Sequence, residues 1–207
     1  MIRCLTIYKP PHFASAVPFR CIALRLVLLV LVLMYFLQSQ AMAMAFEEYQ
    51  LKAVFLYRLS LFITWPKNAF KDSDQPFVIG ILGEDPFGPH IDKVVKNERV
   101  KKRLIQVRRF AQIDDVLKEP CQILFISKTY RNQWPELIHK LDKHAMLTVS
   151  DMAKFSQMGG MVNIWTQNSR IRIDVNSYET RRAGLIVSSK LLKVAHQVKT
   201  SSQRILP

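Results

Sequence analysis

Four charged residues follow short apolar runs and could do chemistry: Glu84, Asp85, Lys128 and Asp151. A lysine near carboxylates can hold a small anionic ligand or a partner loop, and two carboxylates can work as a general acid and base. Adjacent carboxylates near a helix start more often complement the helix dipole, so we interpret Glu84 and Asp85 as caps. The hypothesis is an anion site with Lys128 as its charge, and the alternative is ordinary polar loops.

Other chemistry is not indicated by the residue pattern. The sequence has no Gly-x-Ser-x-Gly, Ser-x-x-Lys, His-Glu-x-x-His, Cys-x-x-Cys or phosphate-loop motif. His139, Asp142 and His144 resemble metal ligands, but a five-residue spacing on a helix end turns the two rings to different faces. We therefore predict surface histidines, no catalytic residue, no metal and no cofactor.

The apolar runs predict the elements that position these residues. Strands are predicted at 77–82, 104–107, 122–127 and 146–149, with helices between them, including one at 130–142. The segments between these strands are much longer than hairpin turns, so they predict crossover connections and a mainly parallel sheet. Residues that follow parallel strands gather at the carboxyl edge of the sheet, where ligands of open α/β sheets bind.

Past Gly160 the pattern changes from crossovers to a hairpin. Residues 161–167 and 170–175 flank Asn168 and Ser169, a polar pair typical of a tight turn. Asn176 and Glu179 resemble a capping box, which predicts one last helix with Leu185 and Leu192 on its apolar face. The predicted fold class is an α/β three-layer sandwich, a mainly parallel sheet with a C-terminal antiparallel hairpin and helices on both faces.

The N-terminus has the pattern of a secretion signal. Residues 26–37 are an apolar run, preceded by Arg3, Lys9, Arg20 and Arg25 with no acidic residue in the first 45 positions. Twelve apolar residues are fewer than the ~20 that a spanning helix needs. Small residues at 41–45 predict cleavage near Ala43 to Phe46 and a periplasmic location. The alternative is an uncleaved membrane anchor.

The residue pattern divides the chain into three segments. We predict a signal peptide at 1–45, one α/β domain at 46–195 and a basic flexible tail at 196–207. The formal net charge is +14, and the leader holds only four of the basic residues, so the domain itself is basic. In an exported protein this charge argues against nucleic acid and favours an acidic partner or the membrane surface.

Cysteine usage limits the covalent chemistry of the exported domain. Cys4 and Cys21 leave with the leader, so Cys121 remains alone and no intrachain disulfide can form. Cys121 opens an apolar strand, and we interpret it as a small buried residue; the alternative is a reactive or intermolecular thiol.

Seven segments together resemble the YfiR family of exported bacterial proteins. These are EYQLKAVFLY at 48–57, FITWP at 62–66, GILGEDPFG at 80–88, ILFIS at 123–127, LTVSD at 147–151, GGMVN at 159–163 and IVSSKLL at 186–192. The resemblance implies a periplasmic regulator that dimerises and has no catalytic activity. It also implies a partner, an inner-membrane diguanylate cyclase held inactive, so that release raises cyclic di-GMP and promotes biofilm formation. Some relatives carry several cysteines that form disulfides, and the single Cys121 argues against redox control here.

The leading hypothesis is therefore a binding protein that inhibits a diguanylate cyclase or related membrane sensor. Candidate partner contacts are Trp165, Tyr178, Arg181 and Arg182, around the hairpin and the last helix. The alternatives are a core position for Trp165 and a solvated helix face for the arginines. Two other functions compete: a hydrolase using Glu84, Asp85 or Asp151, and a periplasmic solute-binding or sensory protein that serves another membrane protein or a transporter.

Overall fold

The computed structural model describes residues 19–72, 74–119, 121–142 and 144–198, and it describes residues 19–24 and 36–46 by backbone alone. The chain divides into two compact units, residues 1–44 and residues 45–207. Arg3, Lys9 and Cys4 lie outside the described residues, as do residues 199–207 of the predicted tail and the side chains of the predicted cleavage site. The leader, its cleavage and the tail beyond residue 198 stay predictions, whereas residues 196–198 form a strand.

In the first unit, the described residues belong to the first helix, α1 (Phe19–Phe62). The apolar side chains between Leu26 and Tyr35 are each at least half exposed. Within the described part of the chain, no helix is both long enough and apolar enough to cross a membrane.

The second unit contains short helices and strands in near alternation. After α1 the chain forms β1 (Ile63–Thr64), β2 (Phe77–Leu82), α2 (Pro89–Val95), β3 (Arg99–Val100), β4 (Arg103–Phe110), α3 (Ile113–Lys118), β5 (Ile123–Ile126), α4 (Trp134–Leu141), β6 (Leu147–Ser150), β7 (Val162–Gln167), β8 (Arg170–Asn176), α5 (Ser177–Arg182), β9 (Ile186–Val187), α6 (Ser189–Val194) and β10 (His196–Val198). Two 3-10 turns, Lys67–Ala69 and Lys128–Tyr130, follow β1 and β5.

Eight strands form one sheet in the order β10-β8-β7-β6-β5-β2-β4-β3, and β1 pairs with β9 in a separate antiparallel pair. The five strands from β7 to β4 are parallel to one another, as crossover connections require. β8 returns antiparallel to β7 through Asn168 and Ser169, both with positive φ. The predicted fold class is therefore confirmed.

The sheet separates two apolar cores. On β2, Ile79 and Ile81 pack with Leu56 and Leu59 of α1, together with residues of α2 and α6. The alternate residues of the same strand, including Val78, pack on the other face with α3 and α4. Because successive side chains of a strand point to opposite faces, a strand that is apolar throughout needs a helical layer on each side.

The prediction of one last helix is wrong. The segment forms two six-residue helices, α5 and α6, with β9 between them. Gly184 adopts φ +73° and its N–H donates to the Arg181 carbonyl at 2.9 Å, which ends α5. The chain can then extend and pair with β1. The predicted cap is confirmed, since the Asn176 side chain accepts hydrogen bonds from the Tyr178 and Glu179 N–H groups at 3.2 Å.

Cys121 occupies the interior, as its apolar surroundings predicted. Its side chain is buried, and Sγ lies 3.3 Å from the Met146 sulfur. Burial raises the pKa of the Cys121 thiol to about 12. A thiol in this state has little thiolate at neutral pH and behaves as a small core residue.

Candidate functional site

The loops that follow β5 and β6 meet at the carboxyl edge of the sheet. Lys128 begins the 3-10 turn after β5, and Asp151 follows β6 directly. The Lys128 Nζ lies 3.1 Å from Asp151 Oδ2, so the structure brings together two of the four residues proposed to bind a ligand. Both strands are parallel, and their register makes them end side by side.

Helix α1 completes a group that we call the polar cluster: Glu48, Tyr49, Lys52, Lys128 and Asp151. The Lys52 Nζ lies 2.9 Å from Asp151 Oδ2 and 2.6 Å from Glu48 Oε1. Tyr49 donates its hydroxyl hydrogen to Asp151 Oδ2 at 2.7 Å. The side chains of Lys52 and Asp151 are only 3% and 1% exposed. Asp151 is thus a buried carboxylate with three donors.

Burial, ion pairs and hydrogen bonds within the polar cluster shift the pKa values of three of its side chains. Burial opposes ionisation of Asp151, but hydrogen bonds from Lys52 and Tyr49 and the charges of both lysines outweigh it and lower its pKa. The pKa of Glu48 is also lowered, because Lys52 and Thr166 outweigh its burial. Burial and the bond to Asp151 raise the pKa of Tyr49. Near neutral pH both carboxylates are charged and the phenol is protonated.

Hydrogen bonds around Ser150 fix the position of Asp151. The Ser150 hydroxyl donates to the Ile126 carbonyl at 2.7 Å and accepts from the Met152 N–H at 3.1 Å. The Asn163 amide on β7 donates to the carbonyls of Ser150 and Met152, both at 3.0 Å. The turn that carries Asp151 is therefore tied to the two neighbouring strands, and its carboxylate is preorganised.

An open groove of about 470 Å³ lies beside the polar cluster, lined by Glu48, Lys52, Lys128, Asp151, Ala153, Lys154, Gln157, Asn163, Trp165, Thr166 and Asp174. The Lys128 side chain is 58% exposed and is the part of the cluster most accessible to solvent. Thr166 donates its hydroxyl hydrogen to Glu48 Oε1 at 2.7 Å and ties the hairpin to α1. The indole N–H of Trp165 is buried, and among the described residues it has no acceptor.

Glu84 and Asp85 lie in a different environment from Lys128 and Asp151. Asp85 Oδ1 accepts hydrogen bonds from the Phe87 and Gly88 N–H groups at 2.8 and 3.2 Å, and Oδ2 accepts from Arg109 Nε at 2.7 Å. Glu84 is exposed. Asp85 thus orders the turn before α2, and the structure places it with Arg109 and not with the groove.

The four candidate partner residues divide between opposite edges of the sheet. Trp165 lies on β7 beyond the end of β6, at the carboxyl edge. β8 runs antiparallel to β7, so α5, which follows it, begins at the other edge with Tyr178, Arg181 and Arg182. Tyr178 is 42% exposed, whereas Arg182 forms ion pairs with Asp142 and Glu179. One flat partner surface cannot include all four.

Tyr49 and Lys52 were not among the site residues that the sequence pattern predicted. A signal for Lys52 exists, because it lies four and seven residues before Leu56 and Leu59, on the face of α1 that the core buries. Lysine is almost never fully buried unless it is paired. An ionisable residue on an apolar helix face therefore indicates a buried partner, but the identity of that partner required the fold.

The family model described as YfiR/HmsC-like matches residues 49–196. No curated protein matches the chain.

Solved structures that are similar to part of this chain include two of different origin. One is an ABC domain in complex with L-Trp from Streptococcus pneumonia, at 10% identity and TM-score 0.46, covering 59% of this chain and 55% of that one. The other is a conserved domain protein from Vibrio cholerae O1 biovar El Tor, at 10% identity and TM-score 0.42, covering 59% and 54%. The chain thus matches little more than half the length of each, and neither similarity bears on function.

Proposed function

This chain belongs to the YfiR/HmsC-like family, and from that premise we propose that it is a periplasmic regulatory binding protein that holds an inner-membrane diguanylate cyclase inactive. The observation that carries the proposal is the family match, which spans nearly all of residues 46–195. Membership suggests a periplasmic regulator of cyclic di-GMP signalling, with a regulatory and not a catalytic role. Inhibition of a cyclase, and a homodimer as the active form, are the finer parts of the proposal.

The polar cluster supports binding in preference to catalysis. A general acid or base needs a pKa near the working pH, whereas the pKa values of Asp151 and Glu48 are lowered and that of Tyr49 is raised, away from neutrality. These groups are locked in ion pairs and hydrogen bonds. Inhibition then requires only that the protein binds the inactive state of its partner more tightly than the active state.

Deleting the gene is expected to raise cellular cyclic di-GMP several-fold and to increase biofilm, because the partner cyclase loses its inhibitor. Expression of the whole chain should restore the original level. A matched control lacks residues 1–45, so that the domain stays in the cytosol; this version should not restore it. Cyclic di-GMP would be measured by mass spectrometry of cell extracts, and an unchanged level in the deletion strain would contradict the proposed function.

A second candidate function is capture of a small anion in the groove. The Lys128 side chain favours it, since this side chain is 58% exposed although its Nζ lies 3.1 Å from Asp151 Oδ2. Lys154 also lines the groove. In this proposal the ligand would bias the protein between partner-bound and free states, which combines solute sensing with regulation.

Inorganic phosphate or succinate in excess is expected to raise the melting temperature of the purified chain by about 5 °C, because a ligand that binds only the folded state stabilises it by mass action. The variant Lys128→Gln keeps the length of the side chain and removes its charge, and it should lose most of the shift. No shift with either anion, or an equal shift in both proteins, counts against the anion site.

A further inference from the structure

Strand β4 has an open outer edge. On its inner side it pairs with β2 from Ile105 to Phe110. On its outer side, β3 covers only Arg103 and Leu104, and one further bond runs from the Ile105 N–H to the Glu98 carbonyl at 3.1 Å. Beyond Ile105 this side of β4 has no strand partner among the residues that the structure describes.

The register shows which backbone groups point outward. The Phe110 carbonyl accepts from the Gly83 N–H at 2.9 Å, so Phe110 directs its backbone groups toward β2, and Ile105 directs its N–H toward β3. Because backbone groups alternate sides along a parallel strand, Val107 and Arg109 turn their N–H and C=O groups to the outer edge. Unpaired edge groups of this kind are a template for an added strand.

The surroundings of this edge are strongly basic. Between Lys93 and Arg109 the sequence has eight Lys and Arg residues and one acidic residue, Glu98. The Arg108 side chain is 38% exposed and that of Lys118 is 76% exposed. This charge attracts an acidic segment. It disfavours a second copy of the chain, because two paired β4 edges would bring like charges together.

Depressions at both ends of the edge could receive side chains of an added strand. One, of about 350 Å³, is lined by Arg108, Arg109, Phe110, Asp115, Lys118 and Glu119. The other, of about 460 Å³, is lined by Asp74, Pro76, Arg99, Lys102, Arg103, Leu104 and Gln106. Both contain arginine and lysine, which recognise carboxylates. In the first depression Arg108 already pairs with Glu119, and Lys118 lies 3.9 Å from Asp115.

We propose that the outer edge of β4, centred on Val107 to Arg109, binds an extended acidic segment of a partner protein as an additional strand. Main-chain hydrogen bonds give this pairing its affinity, and the flanking basic side chains select for acidic residues. The inference deepens the proposed function, on which it rests for the identity of the partner as a membrane signalling protein.

The substitution Val107→Pro tests the backbone pairing directly. Proline removes the outward N–H of Val107 and leaves every hydrogen bond to β2 in place, as expected for proline on an edge strand. The matched control, Val107→Ala, shortens the same side chain and keeps the N–H. A second test reverses charge at two exposed sites, Lys102→Glu with Lys118→Glu, and does not alter the backbone.

The probe is a fluorescent peptide of alternating glutamate and valine, and its affinity for the purified full chain is measured by fluorescence anisotropy. We expect Val107→Pro and the double charge reversal each to weaken binding about tenfold or more, and Val107→Ala to weaken it less than about threefold. A peptide with lysine in place of glutamate should not bind. Equal affinity of Val107→Pro and Val107→Ala overturns the proposal, as does binding of phosphatidylglycerol vesicles in place of the peptide.

Expression of the same variants in the deletion strain separates this proposal from the proposed function. If deletion raises cyclic di-GMP, Val107→Pro should fail to lower it and Val107→Ala should succeed. If the purified variants bind the peptide with the expected pattern but deletion of the gene leaves cyclic di-GMP unchanged, the added strand on β4 is supported and the cyclase role is refuted. If deletion raises cyclic di-GMP and Val107→Pro lowers it as well as the original chain does, the proposed added strand on β4 is refuted.

Discussion

Lys52→Met is expected to destabilise the folded chain by about 3 kcal/mol, within the range measured when one partner of a buried ion pair is removed. Methionine fills a similar volume, so the loss comes from charge and not from packing. Asp151, with its side chain 1% exposed, would lose its ammonium at 2.9 Å and keep only Tyr49 and the partly exposed Lys128. Urea unfolding followed by circular dichroism measures the change.

Two further variants identify the cause of that loss. Lys128→Met removes the other lysine of Asp151, but this side chain is 58% exposed, so the expected cost is less than about 1 kcal/mol. The double variant Lys52→Met with Asp151→Leu removes both buried charges and should recover much of the stability. Equal losses for Lys52→Met and Lys128→Met would contradict the assignment of a buried pair.

The stabilisation that the Lys52–Asp151 ion pair provides is expected to weaken under acid. The folded pKa of Asp151 is lowered, so its stabilisation is fully present above the pKa of an unfolded aspartate, about 4, and is lost as the pH falls through the folded value. The difference in unfolding free energy between the original chain and Lys52→Met should therefore be largest near neutrality and shrink under acid. An increase under acid would contradict the ion-pair explanation.

Trp134→Ala is expected to cost about 3 to 5 kcal/mol, the usual range for a large aromatic side chain removed from a core. The Trp134 side chain on α4 is buried, with its ring 4.5 Å from that of Phe155. Its indole N–H donates to the Met158 carbonyl at 3.0 Å. The substitution leaves a cavity under the segment that follows Asp151, so we also expect faster amide hydrogen exchange at residues 152–160.

Trp134→Phe is the matched control, because it keeps an aromatic ring and removes the indole N–H. We expect a loss of about 1 to 2 kcal/mol from the missing hydrogen bond and the smaller ring. Thermal unfolding monitored by circular dichroism would rank the variants. If Phe and Ala cost the same, the bond to the Met158 carbonyl, and not ring packing, would dominate this site.

Local sequence pattern was sufficient for the sheet and the hairpin. Runs such as Phe77–Leu82 are apolar at every position, which only a strand covered on both faces can bury, and the spacing of the runs requires crossovers. Asn168 tolerates positive φ, and a polar pair between two apolar runs is typical of a turn, so the hairpin could also be located. The prediction of one last helix failed because β9 pairs with β1, a strand far away in the sequence that no local pattern reveals.

By itself, the sequence determined the family, the fold class and the position of Lys128 and Asp151 at the carboxyl edge of the sheet, since parallel strands end at one edge whatever surrounds them. Only the tertiary structure decided that α1 places Lys52 and Tyr49 against Asp151, 99 and 102 residues away along the chain. It also decided that the outer side of β4 stays without a strand partner beyond Ile105 among the described residues. Both depend on packing between segments far apart in sequence, where periodicity identifies a buried face but not what it contacts.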